Sequence, residues 1–132
     1  MRWMVGLLML CGTATAAECD ALGVPSILQV TDWSAVPGEP NVLTTIKYRN
    51  VSAKPIVMVK ASVWFFDALG ERVIGFQINP DVKLAPGVEA EESGRLIGDH
   101  AQRLLSSDKA LFQAIACTHA VVYADGTKET FD

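Results

Sequence analysis

His100 and His119 are the two histidines of this 132-residue chain, and so its ordinary candidates for a general base. Asp99 precedes His100, and Ser106 and Ser107 follow within the same stretch, so residues 98–107 hold the three residue types of a Ser-His-Asp hydrolase. The nucleophile signature is missing: no Gly-x-Ser-x-Gly occurs, and Glu92-Ser93-Gly94 lacks its flanking pattern. A solvated loop is the expected state of residues 98–107. A small hydrolase built around His100 is kept as the alternative reading.

A transition-metal site needs His, Cys or Met side chains that converge in space. Beyond residue 17 the chain offers the two histidines, Met58, Cys19 and Cys117, and no metal or other cofactor is expected from so small a set. On a strand, Glu89 and Glu91 would share one face with Glu92 opposite, and with Asp81 or Asp99 they could hold calcium. A charged strand edge that discourages association with other strands is the favoured reading. Trp33, Trp64 and Phe66 could meet a protein or glycan on a partly covered sheet face. Packing in the core or just outside it is preferred for all three.

The compartment comes from the first 17 residues. Arg2, the apolar run Trp3 to Cys11 and the small residues Ala14-Thr15-Ala16-Ala17 have the layout of a cleavable secretory signal. The apolar run is far shorter than the roughly 20 residues that cross a bilayer, and no later run is long enough, so no transmembrane anchor is expected after cleavage. Cleavage is expected after Ala17, with Ala16 second, leaving residues 18–132 as one domain in the periplasm or outside the cell. Lipid attachment is disfavoured because Leu10 precedes Cys11 and Glu18 precedes Cys19. Loss of Arg2 takes the formal charge from −4 to −5, and the remaining basic residues are dispersed, which excludes nucleic acid as an expected partner. Cys11 leaves with the signal. Cys19 and Cys117 remain as an even pair in an oxidising compartment and are expected to form a disulfide. That bridge would close a loop of about 98 residues, worth about 4–5 kcal/mol in the chain-entropy treatment.

Several stretches alternate apolar and polar residues with period two between Gly, Pro, Asn and Asp clusters, the pattern of half-buried antiparallel strands. The expected strands are Ile27 to Trp33, Val42 to Arg49, Ile56 to Phe66, Arg72 to Ile78, Val88 to about Ile97, Leu111 to Tyr123 and Thr127 to Phe131. Val36-Pro37-Gly38-Glu39-Pro40 reads as a turn. Val42, Thr44, Ile46 and Tyr48 are expected in the core, as are Val57, Val59, Ala61, Val63 and Phe65. Ile74, Phe76 and Ile78 should lie together. Residues 98–109 read as a loop with one helical turn. Leu111 to Cys117 has mixed helix and strand propensity, with strand preferred because Asp125-Gly126 signals a two-residue hairpin just beyond it. The expected fold is all-β, an immunoglobulin-like antiparallel β-sandwich of about seven strands.

Tyr48-Arg49-Asn50-Val51-Ser52-Ala53-Lys54-Pro55-Ile56, followed by Val63-Trp64-Phe65-Phe66-Asp67-Ala68-Leu69-Gly70-Glu71-Arg72-Val73, resembles bacterial exported immunoglobulin-like domains of the FxLYD-like type. Leu84-Ala85-Pro86-Gly87 and Val122-Tyr123-Ala124-Asp125-Gly126-Thr127 extend the likeness over most of the mature chain. Where the name-giving motif has Leu-Tyr-Asp, this chain has Phe65-Phe66-Asp67. The resemblance implies a small extracytoplasmic sandwich and no catalytic residue. It also implies a bacterial source, so Asn50-Val51-Ser52, which matches the N-glycosylation triplet, is taken as a turn element only. The expected function is exported, non-enzymatic binding to an envelope or extracellular protein. Inhibition of an envelope hydrolase is a further alternative.

Overall fold

Strand-forming residues in alternation give seven strands here. In the computed structural model, which describes residues 27–131, these are β1 Leu28–Gly38, β2 Asn41–Asn50, β3 Ile56–Asp67, β4 Arg72–Gln77, β5 Glu89–Leu96, β6 Phe112–Tyr123 and β7 Lys128–Thr130. A helix, α1 Asp99–Ser106, and a 3-10 turn, Lys109–Leu111, join β5 to β6. Residues 1–17, where a signal is expected, and Cys19 lie outside the described residues. The strands form two antiparallel sheets, ordered β1-β2-β5 and β4-β3-β6-β7, packed as a β-sandwich. The chain passes from β2 across to β3 and β4 and returns to place β5 beside β2, the crossing pattern of an immunoglobulin-like Greek key with its fourth strand on the β3 sheet.

Period-two burial sets the faces. Val42, Thr44, Ile46 and Tyr48 of β2 are all fully buried, as their alternation requires. Thr44 is tolerated in the core because its hydroxyl donates to the Gly94 carbonyl of β5 at 3.0 Å. Val59, Ala61, Val63 and Phe65 of β3 close the core from the other sheet, and Trp33 of β1 meets Phe65 edge-on at 5.0 Å between ring centres.

Bulges explain where the strict alternation slips. The register between β3 and β6 shifts between Ile56 and Met58, so Ile56 enters the core and Val57 is only half-buried. A second shift, between Phe65 and Phe66 against β4, makes Val73 an extra residue of β4 that joins the core with Phe65, while Phe66 is buried on the other face of β3 under Arg72. Ile78 is buried, while Ile74 and Phe76 are half-buried against the core rather than within it.

Three boundaries differ from the sequence expectation. β1 runs through Val36, Pro37 and Gly38, and the turn to β2 narrows to Glu39 and Pro40. Pro37 is accommodated because β1 is an edge strand, where a missing N–H need not interrupt a ladder. Residues 99–106 form a helix of eight residues rather than a loop with one turn. Ala101 and Leu104, three apart on one helical face, are buried, and that apolar stripe stabilises α1 despite its polar composition. The β6–β7 hairpin has a three-residue loop, Ala124-Asp125-Gly126, rather than two: Tyr123 N–H donates to the Thr127 carbonyl and Gly126 adopts φ 85°.

Candidate functional site

The helix separates the hydrolase candidates. His100 and Ser106 stand six positions apart on α1, about 9 Å along the axis and about 240° around it, so they do not meet. Ser106 Oγ donates instead to the Gln102 carbonyl at 3.2 Å, and Ser107 caps the helix through its N–H to the Arg103 carbonyl. His119 is the extra residue of a β6 bulge between Thr118 and Ala120, and it is exposed.

Two of the three acidic residues of β5, Glu89 and Glu92, are engaged by the protein. Arg49 pairs with Glu89 at 3.0 Å. Glu92 accepts from the Tyr48 hydroxyl with one oxygen and from Asn79 N–H, at 2.7 Å, with the other. Burial, reinforced by the Glu92 carboxylate, pushes the Tyr48 hydroxyl far above the usual tyrosine range. Among the described residues, no group of three or more His, Cys, Asp or Glu side chains is placed to hold a metal ion.

Asn50 has a different role from the acceptor triplet it opens. Its side chain is buried at the end of β2, with Nδ2 donating to the Lys54 and Leu84 carbonyls and Oδ1 accepting from the N–H and hydroxyl of Ser52. All its hydrogen-bonding capacity goes to closing the β2–β3 connection and tying it to residue 84.

The three aromatic candidates divide: Trp33 lies between the sheets, while Trp64 and Phe66 share the outer face of β3, both under the Arg72 guanidinium. Trp33 lies in the core with Lys109 Nζ 5.1 Å over its ring, and Phe66 is buried beside the β3–β4 bulge. Trp64 is half-buried on the outer face of β3, with the Arg72 guanidinium 4.3 Å over its ring and Gly75 against it.

Two other surfaces are formed by residues the sequence reading did not select. One is the end of the sandwich that carries the β1–β2 turn, the β3–β4 turn and α1. Gln102 Nε2 donates to the Pro40 carbonyl at 3.3 Å and Arg103 reaches Asp67 at 3.1 Å, so α1 links both turns. Asp67 Oδ1 also accepts from the Leu69 and Glu71 N–H groups, and these bonds, Glu71 first and then Arg103, hold its carboxyl below the usual range. This rigidly tied end presents Leu69, 87% exposed, and Ile97, 73% exposed, with Val36 and Leu111 each about half exposed. An apolar residue at the tip of the Asp67-Ala68-Leu69-Gly70 turn was the one sequence signal for it.

The second surface is a trough of about 340 Å³ on the outer face of the four-stranded sheet, toward the opposite end. Register makes it. Met58, Val122 and Lys128 form one cross-strand row, Lys60, Ala120 and Thr130 the next, and Pro80 flanks the β3 side.

Cys117 of β6 stands opposite Ser62, in the register of the outward-facing Lys60 and Trp64, yet it is only 1% exposed. Among the described residues no helix is long and apolar enough to cross a membrane. No protein-family model matches the chain, and no curated protein matches it.

Proposed function

We propose that this chain is an exported, non-enzymatic binding protein whose partner is another protein of the cell envelope or extracellular space. The observation that carries this reading is the exposed apolar end of the sandwich, where Leu69 projects from the β3–β4 turn that α1 ties down and Ile97 from the link between β5 and α1. Exposed leucine and isoleucine held by a rigid frame lose little entropy on docking and gain from leaving water. The separation of His100 from Ser106 along α1 favours binding over hydrolysis. Export rests on the signal layout of residues 1–17, and the FxLYD-like resemblance agrees with it.

The same reading includes the Cys19–Cys117 disulfide. Cys117 is buried on the sheet face where its neighbours in register are half-buried or exposed, as expected for a residue covered by a bonded partner. Reach is sufficient: Leu28 and Ala116 line one groove, and the eight residues from Cys19 to Ile27 span up to about 26–29 Å.

Cross-linked capture from an envelope extract, run in parallel with the Leu69→Asp/Ile97→Asp variant, tests the binding end. A protein retained by the wild type and lost by an equally folded variant supports the proposal. Equal retention, or no captured protein, overturns it. Intact mass of the exported protein tests the rest: a chain beginning at Glu18 with no free thiol is expected, and two free thiols would refute the pairing.

A further inference from the structure

We infer that the outer-face trough between β3, β6 and β7 is a binding site for a single-chain amphiphile with a carboxylate head, such as a medium-chain fatty acid. The floor is apolar: Met58, half exposed, with Ala120 and Val122 beside it and Pro80 at the rim. The polar groups of the lining besides the lysines lie on β7: the Thr130 hydroxyl, and Glu129, whose carboxylate lies against Tyr123. A trough of about 340 Å³ is at the small-ligand end of natural pockets.

Charge selects the head group. Lys60 and Lys128 stand at diagonal corners of the floor, on β3 and β7, with β6 between them. Among the described residues neither ammonium group has a carboxylate within ion-pair distance, as is also true of Lys47, Arg72, Lys83 and Arg95; what sets Lys60 and Lys128 apart is that both line the trough. A pair of uncompensated cations beside an apolar floor, on a chain of net charge −4, is locally complementary to an anion attached to an apolar tail. The tail would cover Met58, Ala120 and Val122 while the head stays in water near a lysine, so neither charge needs to be buried. A carboxylate buried elsewhere in the domain would lack this compensation.

The site is separate from the proposed protein-binding end. Met58 and Lys60 lie seven to nine residues along β3 from Asp67, about 25 Å at strand rise. The two readings therefore fail or succeed independently.

Titration of the folded protein with dodecanoate below its micelle concentration, followed by amide and methyl NMR shifts, is the test. Dodecanol, which lacks the charge, and vesicles of anionic phospholipid are the comparison arms. The expected result is saturable shifts at Met58, Lys60, Ala120, Val122 and Lys128 with dodecanoate and weaker binding of dodecanol. Lys60→Gln/Lys128→Gln should weaken dodecanoate about threefold to fivefold, and raised salt should do the same. Met58→Asp should weaken it about tenfold by wetting the floor and repelling the head. Equal binding of dodecanol, shifts confined to other residues, no effect of the lysine pair, or response only to vesicles would each overturn the proposal.

Discussion

Asn50→Ala is expected to destabilise the domain by about 2–4 kcal/mol. The side chain makes four hydrogen bonds: Nδ2 to the Lys54 and Leu84 carbonyls at 2.9 and 3.0 Å, and Oδ1 from Ser52 N–H and Oγ at 2.9 and 2.6 Å. Each such bond contributes about 0.5–1.5 kcal/mol net, so four would give at most about 6. The lower part of that range applies because neither carbonyl is orphaned: the single Ser52 hydroxyl proton, released from Asn50 Oδ1, can turn to Lys54 O at 3.0 Å, and Leu84 O keeps Ile56 N–H at 2.8 Å. Asn50→Asp should cost more than Asn50→Ala, because a buried carboxylate oxygen would then face two carbonyls with nothing to donate. Ser52→Ala loses one contact to Asn50 and should cost about 1 kcal/mol. Urea unfolding followed by tryptophan fluorescence reads all three, since Trp33 lies in the core. At about 4–8 °C per kcal/mol, the alanine variant should also melt well below the wild type. The reasoning fails if Asn50→Ala costs under about 1 kcal/mol with unchanged circular dichroism, or if Asp is tolerated as well as Ala.

Gly75→Ala should cost about 1–3 kcal/mol by overpacking. A Cβ there would sit 2.5 Å from Trp64 Cε3 and 2.6 Å from the Val63 carbonyl oxygen, and the backbone atom cannot yield. A neutral variant with unchanged Trp64 emission would refute that contact. Acid should destabilise through three aspartates held below their ordinary value: Asp32 by Lys109, Asp67 by the Glu71 N–H and then Arg103, and Asp125 by the Thr127 hydroxyl and N–H. Their folded values are depressed, so their contribution is complete above the ordinary aspartate value of about 3.9 and is lost as pH falls from there through the folded values. A carboxyl NMR titration with Asp67 at or above the ordinary value would sink this account.

Legibility in the sequence followed the range of the interactions involved. β2 could be read residue by residue because its alternation is uninterrupted and one face is buried along its length. β3 was readable from Val59 to Phe66 and misplaced at its start, where a bulge exchanges Ile56 for Val57. Nothing local in the sequence marks a bulge, since the extra residue is defined by the partner strand. α1 was under-read for a related reason. Its helix propensity is modest, and what fixes it is tertiary: Ala101 and Leu104 against the core, with Gln102 and Arg103 bonded to two separate turns.

The same logic explains why the aromatic residues drew attention and the apolar end and trough did not. Tryptophan and phenylalanine are conspicuous by type, yet large aromatics on a seven-strand sandwich contribute most by filling the space between sheets, which Trp33 does against Phe65. The trough has no conspicuous residue. It exists because strand pairing sets Met58 beside Val122 and Lys60 beside Ala120, and then β7 sets Lys128 and Thr130 alongside them. Those positions are some 60 to 70 residues apart in the chain. Shifting β6 by a single residue against β3 would turn Ala120 and Val122 to the core and His119 and Val121 outward, replacing the apolar floor with an imidazole. The β6 bulge at His119 therefore does more than bend the strand. It lets Thr118 and Ala116 face the core on one side of the bulge while Ala120 and Val122 face the trough on the other, so one strand serves the core and the candidate site in different registers.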